Sequence, residues 1–164
     1  MKRFLFCLIL FIFSPIISAE IKLSSVIILE SNVPKECGIK IDIIDESILS
    51  SIKVTIKKNK KNNTSTYFLV NSDEKVSRAN IFTDSQILSK IIQSKNSNKD
   101  YFEIESITNQ NLTTQFFQEL IISGAQIKVN EKKYQISGPI DSKVRLEYLF
   151  CTGEMFLPNY EQNK

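Results

Sequence analysis

The chain has 164 residues, 42% of them apolar and 24% charged, which suits one ordinary globular domain, and it contains no histidine. That absence removes Ser-His-Asp and Cys-His nucleophilic sites, imidazole bases and histidine-ligated zinc. With 21 basic against 18 acidic residues and four glycines in all, neither strong steering toward nucleic acid nor a glycine-rich phosphate loop is expected.

The first residues have the three zones of a secretory signal. Lys2 and Arg3 form a positive start, Phe4 to Phe13 an apolar stretch, and Ser14 to Ala19 a short polar end broken by Pro15. Cleavage is expected after Ala19, leaving residues 20–158 as a single globular β-rich domain and 159–164 as a flexible tail. The apolar stretch falls short of the roughly 20 residues that span a bilayer, so no membrane span is expected once it is removed. Cys7 lies within the apolar stretch rather than after the cut, which argues against a lipid anchor. Lys2 and Arg3 leave with the signal, so 19 basic residues face 18 acidic ones and the remaining net charge is +1. Two cysteines stay, Cys37 and Cys151. In an oxidising compartment they are expected to form one disulfide; two buried free thiols are the alternative.

Period-two alternation then marks strands. Ile21 to Leu29 reads as the first, with a more continuously buried half. Ile39, Ile41 and Ile43 interleave with Lys40 and Asp42, and Ile52, Val54 and Ile56 with Lys53, Thr55 and Lys57, as in neighbouring strands of an antiparallel sheet with one wet face. The basic run Lys57 to Lys61 reads as a solvated loop leading into a strand at Thr66 to Val70. Residues 71–80 are loop-like, and Arg78 to Phe82 and Tyr101 to Ser106 are weaker strands.

Two segments carry helical spacing. Ile87, Leu88, Ile91 and Ile92 share a face behind a Thr83 to Gln86 capping box, which predicts a helix over 84–94. Phe116, Phe117, Leu120 and Ile121 predict another over 112–123, with Asn111 or Thr113 as its cap and Gly124 as the left-handed residue that ends it. Both apolar stripes are expected to face the core. Gln126 to Val129, a tight Asn130-Glu131-Lys132 turn and Lys133 to Ser137 form a hairpin, which Gly138-Pro139 stops. Residues 142–152 fit two patterns: Val144, Leu146, Tyr148 and Phe150 alternate as in a strand, while Val144, Tyr148, Cys151 and Met155 follow a helix. Asp141 as a cap and Gly153 as a stop favour the helix.

Catalysis without histidine needs a Ser-Lys arrangement or two carboxylates. Ser50-Ser51-Ile52-Lys53 and Ser72-Asp73-Glu74-Lys75 match Ser-x-x-Lys, but Ser50 and Lys53 fall on opposite faces of a strand, and both residue types are abundant here. Glu103 and Glu105 share a strand face, yet no tryptophan platform exists to hold a sugar. Asp42, Asp45 and Glu46 lack the spacing and mid-loop glycine of a calcium loop. No catalytic, cofactor-binding or metal residue is therefore assigned.

The C-terminal third has the order helix, Gly, strand, tight hairpin, strand, Ser-Gly, helix, carried by Phe116 to Leu120, Gly124, Tyr134 to Pro139, Val144-Arg145 and Tyr148 to Glu154. With Cys37-Gly38, this resembles small exported proteins of Gram-negative bacteria and, more distantly, the invasion-associated locus B family of periplasmic proteins. The resemblance implies a periplasmic, non-catalytic, β-rich protein. The expected fold is α+β, an antiparallel β-rich single domain with a sandwich-like sheet and two or three packed helices. The expected function is a non-enzymatic module that binds a protein or other envelope component, without cofactor or nucleic acid. A secreted effector or inhibitor and a histidine-free carboxylate hydrolase are the alternatives.

Overall fold

A computed structural model describes residues 19–58, 64–85, 101–106 and 110–156. Among these residues ten elements make an α+β fold of two antiparallel sheets and two helices. β1 (Glu20–Glu30), β2 (Val33–Asp45), β3 (Ile48–Lys58), β4 (Thr64–Ser72) and β6 (Tyr101–Ser106) form one sheet in the spatial order β1-β2-β3-β4-β6. β5 (Ala79–Phe82), β7 (Gly124–Val129) and β8 (Lys132–Ser137) form the other, with β7 central. α1 (Gln110–Ile122) and α2 (Ser142–Phe156) complete the fold.

The alternation that marks the strands also sets their register. Cys37, Ile39 and Ile41 stand opposite Ile56, Val54 and Ile52, and Val54 and Ile52 opposite Phe68 and Val70, so one face of the large sheet is continuously apolar and buried. The intervening Lys40, Lys53 and Asp42 fall on the other face. A slip of one residue would turn every isoleucine outward. Ala79, Ile81, Ala125, Ile127, Val129 and Ile136 of the small sheet join the same core, as do the buried sides of both helices.

Two hairpins turn through non-glycine pairs. Ser31 and Asn32 link β1 to β2 with φ of 52° and 64°, and Glu46 and Ser47 link β2 to β3 with 49° and 73°. Two successive left-handed residues match the right-handed twist of the strands they join, although each costs an L-residue roughly 1–2 kcal/mol.

Several expectations need correction at element ends. α1 begins at Gln110, so Asn111 and Thr113 lie inside it rather than capping it. Thr113 instead shares a buried hydroxyl–hydroxyl hydrogen bond of 3.2 Å with Thr66 of β4. Gly124 has the expected left-handed backbone, φ 87°, and a Cβ there would lie 1.9 Å from the Ile136 carbonyl oxygen. Both facts demand glycine, and β7 starts at this residue rather than at Gln126. Residues 142–152 are helical, with Asp141 Oδ1 accepting from the Lys143 and Val144 amides at 2.9 and 3.2 Å. Gly153 does not stop the helix, which runs to Phe156 because Met155 has a core site to fill and Lys58 Nζ donates to the Met155 carbonyl at 2.9 Å. The helix expected over 84–94 falls, from residue 86 onward, outside the described residues, as does the 159–164 tail.

α2 packs across β1 and β2 and is held there covalently. Cys151 of α2 and Cys37 of β2 form a disulfide with a Cα–Cα distance of 5.8 Å, spanning a sequence separation of 114. Such a closure mainly restricts the unfolded chain. Replacing both cysteines by alanine is expected to lower the unfolding free energy by about 2–5 kcal/mol, read from urea denaturation against the oxidised parent.

Candidate functional site

The helices meet through aromatic rings. Phe117 of α1 stacks on Tyr148 of α2 with ring centroids 4.7 Å apart and planes within 16°, and Phe116 meets Phe117 edge-on at 5.3 Å. Beside these rings, residues of both helices line a cleft of about 370 Å³. Ile121, Leu149 and Phe156 wall it, and Thr114, Gln118 and Thr152 line it with polar groups. Among the described residues no charged side chain lines it, and Thr152 donates its hydroxyl back to the Tyr148 carbonyl of its own helix at 2.9 Å. Gly153 also lines the cleft, with nothing within 4 Å of where its Cβ would stand. Burial pushes the Tyr148 hydroxyl above its ordinary pKa of 10.0, so it stays protonated.

α2 carries more apolar surface than its packing consumes. Val144, Tyr148, Cys151 and Met155 face the core. Leu146, Leu149 and Phe150 are exposed, although they too follow helical spacing. Leu149 belongs to the cleft, and Ile122, one turn beyond Gln118 on α1, is exposed at its rim.

The residues weighed for catalysis do not converge. Ser50 lies on the buried face of β3, where its hydroxyl shares a 2.8 Å hydrogen bond with Ser72; Lys53 lies on the opposite face, as expected. Ser72 also accepts from the Glu74 amide, so both Ser-x-x-Lys serines serve the β3–β4 pairing. β6 brings Glu103 and Glu105 opposite Leu69 and Tyr67 in backbone register, and their side chains lie outside the described residues. Asp42 pairs with Lys40 at 2.7 Å, whereas Asp45 accepts from Tyr134 and Lys132, both at 3.0 Å, tying the end of β2 to β8. Lys57 and Lys58 belong to β3 rather than to a loop: Lys57 bridges to Glu36 at 3.4 Å and covers the Tyr67 ring at 4.2 Å. Among the described residues no cluster of ligating side chains could hold a metal ion.

Among the described residues two carboxylates depart from ordinary titration, both downward. Hydrogen bonds from Lys132 and then Tyr134 lower Asp45. Glu119 on α1 is pulled from 4.5 to about 2, chiefly by hydrogen bonds from the Ser85 and Thr83 hydroxyls, with the Ser85 amide and Gln115 adding to them. A general acid needs the reverse shift. Glu119 instead clasps the segment after β5 to α1.

The cleft was not foreseen from the sequence. Its one signal is the surplus of apolar residues in 142–156, which made a strand and a helix both readable there. Comparison with known proteins found no family model, curated protein or solved structure that matches the chain.

Glu119 sets an acid limit. Its folded pKa lies below its unfolded one, so its stabilising contribution is present above about pH 4.5 and is lost as pH falls toward 2. Glu119→Gln is expected to destabilise the protein at pH 7 and to flatten the decline of thermal midpoint between those limits, checked by calorimetry across pH.

Proposed function

We infer that this chain is an exported, non-enzymatic binding module of the cell envelope, whose α1–α2 cleft takes an apolar anchor presented by another envelope protein. The observation that carries the reading is the cleft: an aromatic floor with walls of Ile121, Leu149 and Phe156, lined by no charged side chain among the described residues and neighboured by the exposed Leu146 and Ile122. Apolar surface of this kind, left wet on a small domain, favours a partner that buries it. A protein anchor suits it better than a small molecule because the apolar area continues past the cleft along α2. The absence of histidine and the downward shifts of Asp45 and Glu119 support a role without acid–base chemistry. The leader pattern at residues 1–19 and the Cys37–Cys151 disulfide support export to an oxidising space.

Two measurements test this. Mass spectrometry of the native product is expected to find Glu20 as the first residue, with fractionation placing it in the periplasm; recovery from culture supernatant would favour a secreted effector instead. A photoreactive side chain at Leu149 is expected to form a discrete adduct with one envelope protein, whereas the same probe at Glu131 on the β7–β8 turn is not. Gly153→Trp, which fills the cleft without touching the core, is expected to abolish the Leu149 adduct and leave the melting temperature within about 2 °C. Equal labelling from both positions would refute the cleft as the binding surface.

A further inference from the structure

The large sheet ends at β1, and among the described residues nothing pairs with that strand's outer edge. β1 is eleven residues long with no proline, and its irregular pairing with β2 arises on the β2 side, where Lys35 is the extra residue between Pro34 and Glu36. β1 itself carries no inserted residue, and its burial alternates as far as Ser25 before giving way to an exposed run from Ile27 to Glu30. Natural edge strands of this length are ordinarily blunted by central charges, proline or a bulge. Here the charges sit at Glu20, Lys22 and Glu30, leaving Leu23 to Leu29 uncharged between them. Ile27, Ile28 and Leu29 are 45%, 49% and 54% exposed in succession, too long an apolar run for a strand end that meets only water.

We propose that β1 pairs with β1 of a second copy of this chain, antiparallel about a two-fold axis at Val26, joining two five-stranded sheets into one of ten. The charges choose that register. Centring the pair on Val26 sets Lys22 opposite Glu30 of the partner subunit, and the reverse, with Leu23 against Leu29 between them. Centring it on Ser25 instead brings Glu20 against Glu30 at both ends. A two-fold interface repeats every contact, so the favourable charge pair forms twice.

A second observation agrees. In this arrangement each face of one sheet continues as the same face of the other, so the two α2 helices lie on one side, flanking the axis. α2 rests across β1 and β2, and strands are spaced about 4.8 Å apart, so the two helices stand roughly 10–14 Å apart, near enough for large side chains on their facing flanks to meet. The flank of α2 that turns toward the axis is the one bearing Glu147, which accepts from the Ser25 hydroxyl of β1 at 2.5 Å. Phe150 follows Glu147 by three residues and shares that flank. It precedes Cys151, whose disulfide partner Cys37 stands opposite Ile27, so Phe150 comes level with Ile27. Phe150 is 70% exposed in the single chain, and a second copy covers it. The α1–α2 cleft lies on the other flank and stays open in the dimer, so this pairing does not depend on what the cleft binds.

Sedimentation equilibrium of the purified oxidised chain tests the pairing. The parent is expected to be dimeric at about 100 µM, and Lys22→Glu or Glu30→Lys alone to weaken association about tenfold or more by setting like charges opposite twice. The double variant, Lys22→Glu with Glu30→Lys, is expected to restore it, because the pair is exchanged rather than lost. Phe150→Asp, on an exposed position, is expected to favour the monomer with an unchanged circular dichroism spectrum. A parent that is monomeric at about 100 µM would overturn the proposal and leave the edge to a strand of a different protein. A dimer indifferent to the charge reversals, or not restored by the double variant, would overturn it equally.

Discussion

β2, β3 and β4 present one buried face that is predominantly apolar, and α2 and the small sheet pack into the core it forms. α2 is the decisive cover, because it is held at both ends and in between: Asp141 caps its start, the Cys37–Cys151 disulfide pins it to β2, and Lys58 takes up the Met155 carbonyl near its end. Its central residue Tyr148 then fixes Phe117, and with it the line along which α1 approaches. The small sheet adds its buried residues to the same core, with β7 against α1. Placing α2 wrongly would expose the isoleucine rows of β2 and β3 and remove the floor of the cleft together.

The same helix shows how burial and surplus divide a sequence. One stripe, Val144 to Met155, is consumed by the core. A second runs through Leu146, Leu149 and Phe150, which stay half or more exposed among the described residues. The two readings proposed above split that stripe by flank: Leu149 toward α1 and the cleft, Phe150 toward the free edge of β1. Neither role takes anything from the core, since the residues concerned make no contribution to it.

What could be read in advance follows from how local each determinant is. The β2 and β3 strands declared themselves because Ile39, Ile41, Ile43, Ile52, Val54 and Ile56 bury one face and leave lysines on the other, a pattern contained within each segment. The inward stripe of α1, the Asp141 cap and the left-handed Gly124 were legible for the same reason. Element ends were less so, since Thr113 was drawn inward by Thr66, 47 residues away, and α2 ran past Gly153 because Lys58 and the core reward Met155. The cleft was illegible: it exists only through the angle between α1 and α2, which no residue encodes alone. Among 142–156 the period-two signal was itself informative, for Leu146 and Phe150, the residues that mimicked a strand, are those the helix leaves outside.

The disulfide gives the fold a dependence on its surroundings that reaches beyond added stability. In a reducing environment the thiols of Cys37 and Cys151 stay apart, the tether between the last helix and the second strand is missing, and Tyr148 and Met155 are shielded only by contacts that open more often. Transient opening is what proteases recognise, so molecules stranded in such a place are the ones cleared first. The cross-link thereby makes the fold's resistance to opening depend on the redox conditions around it.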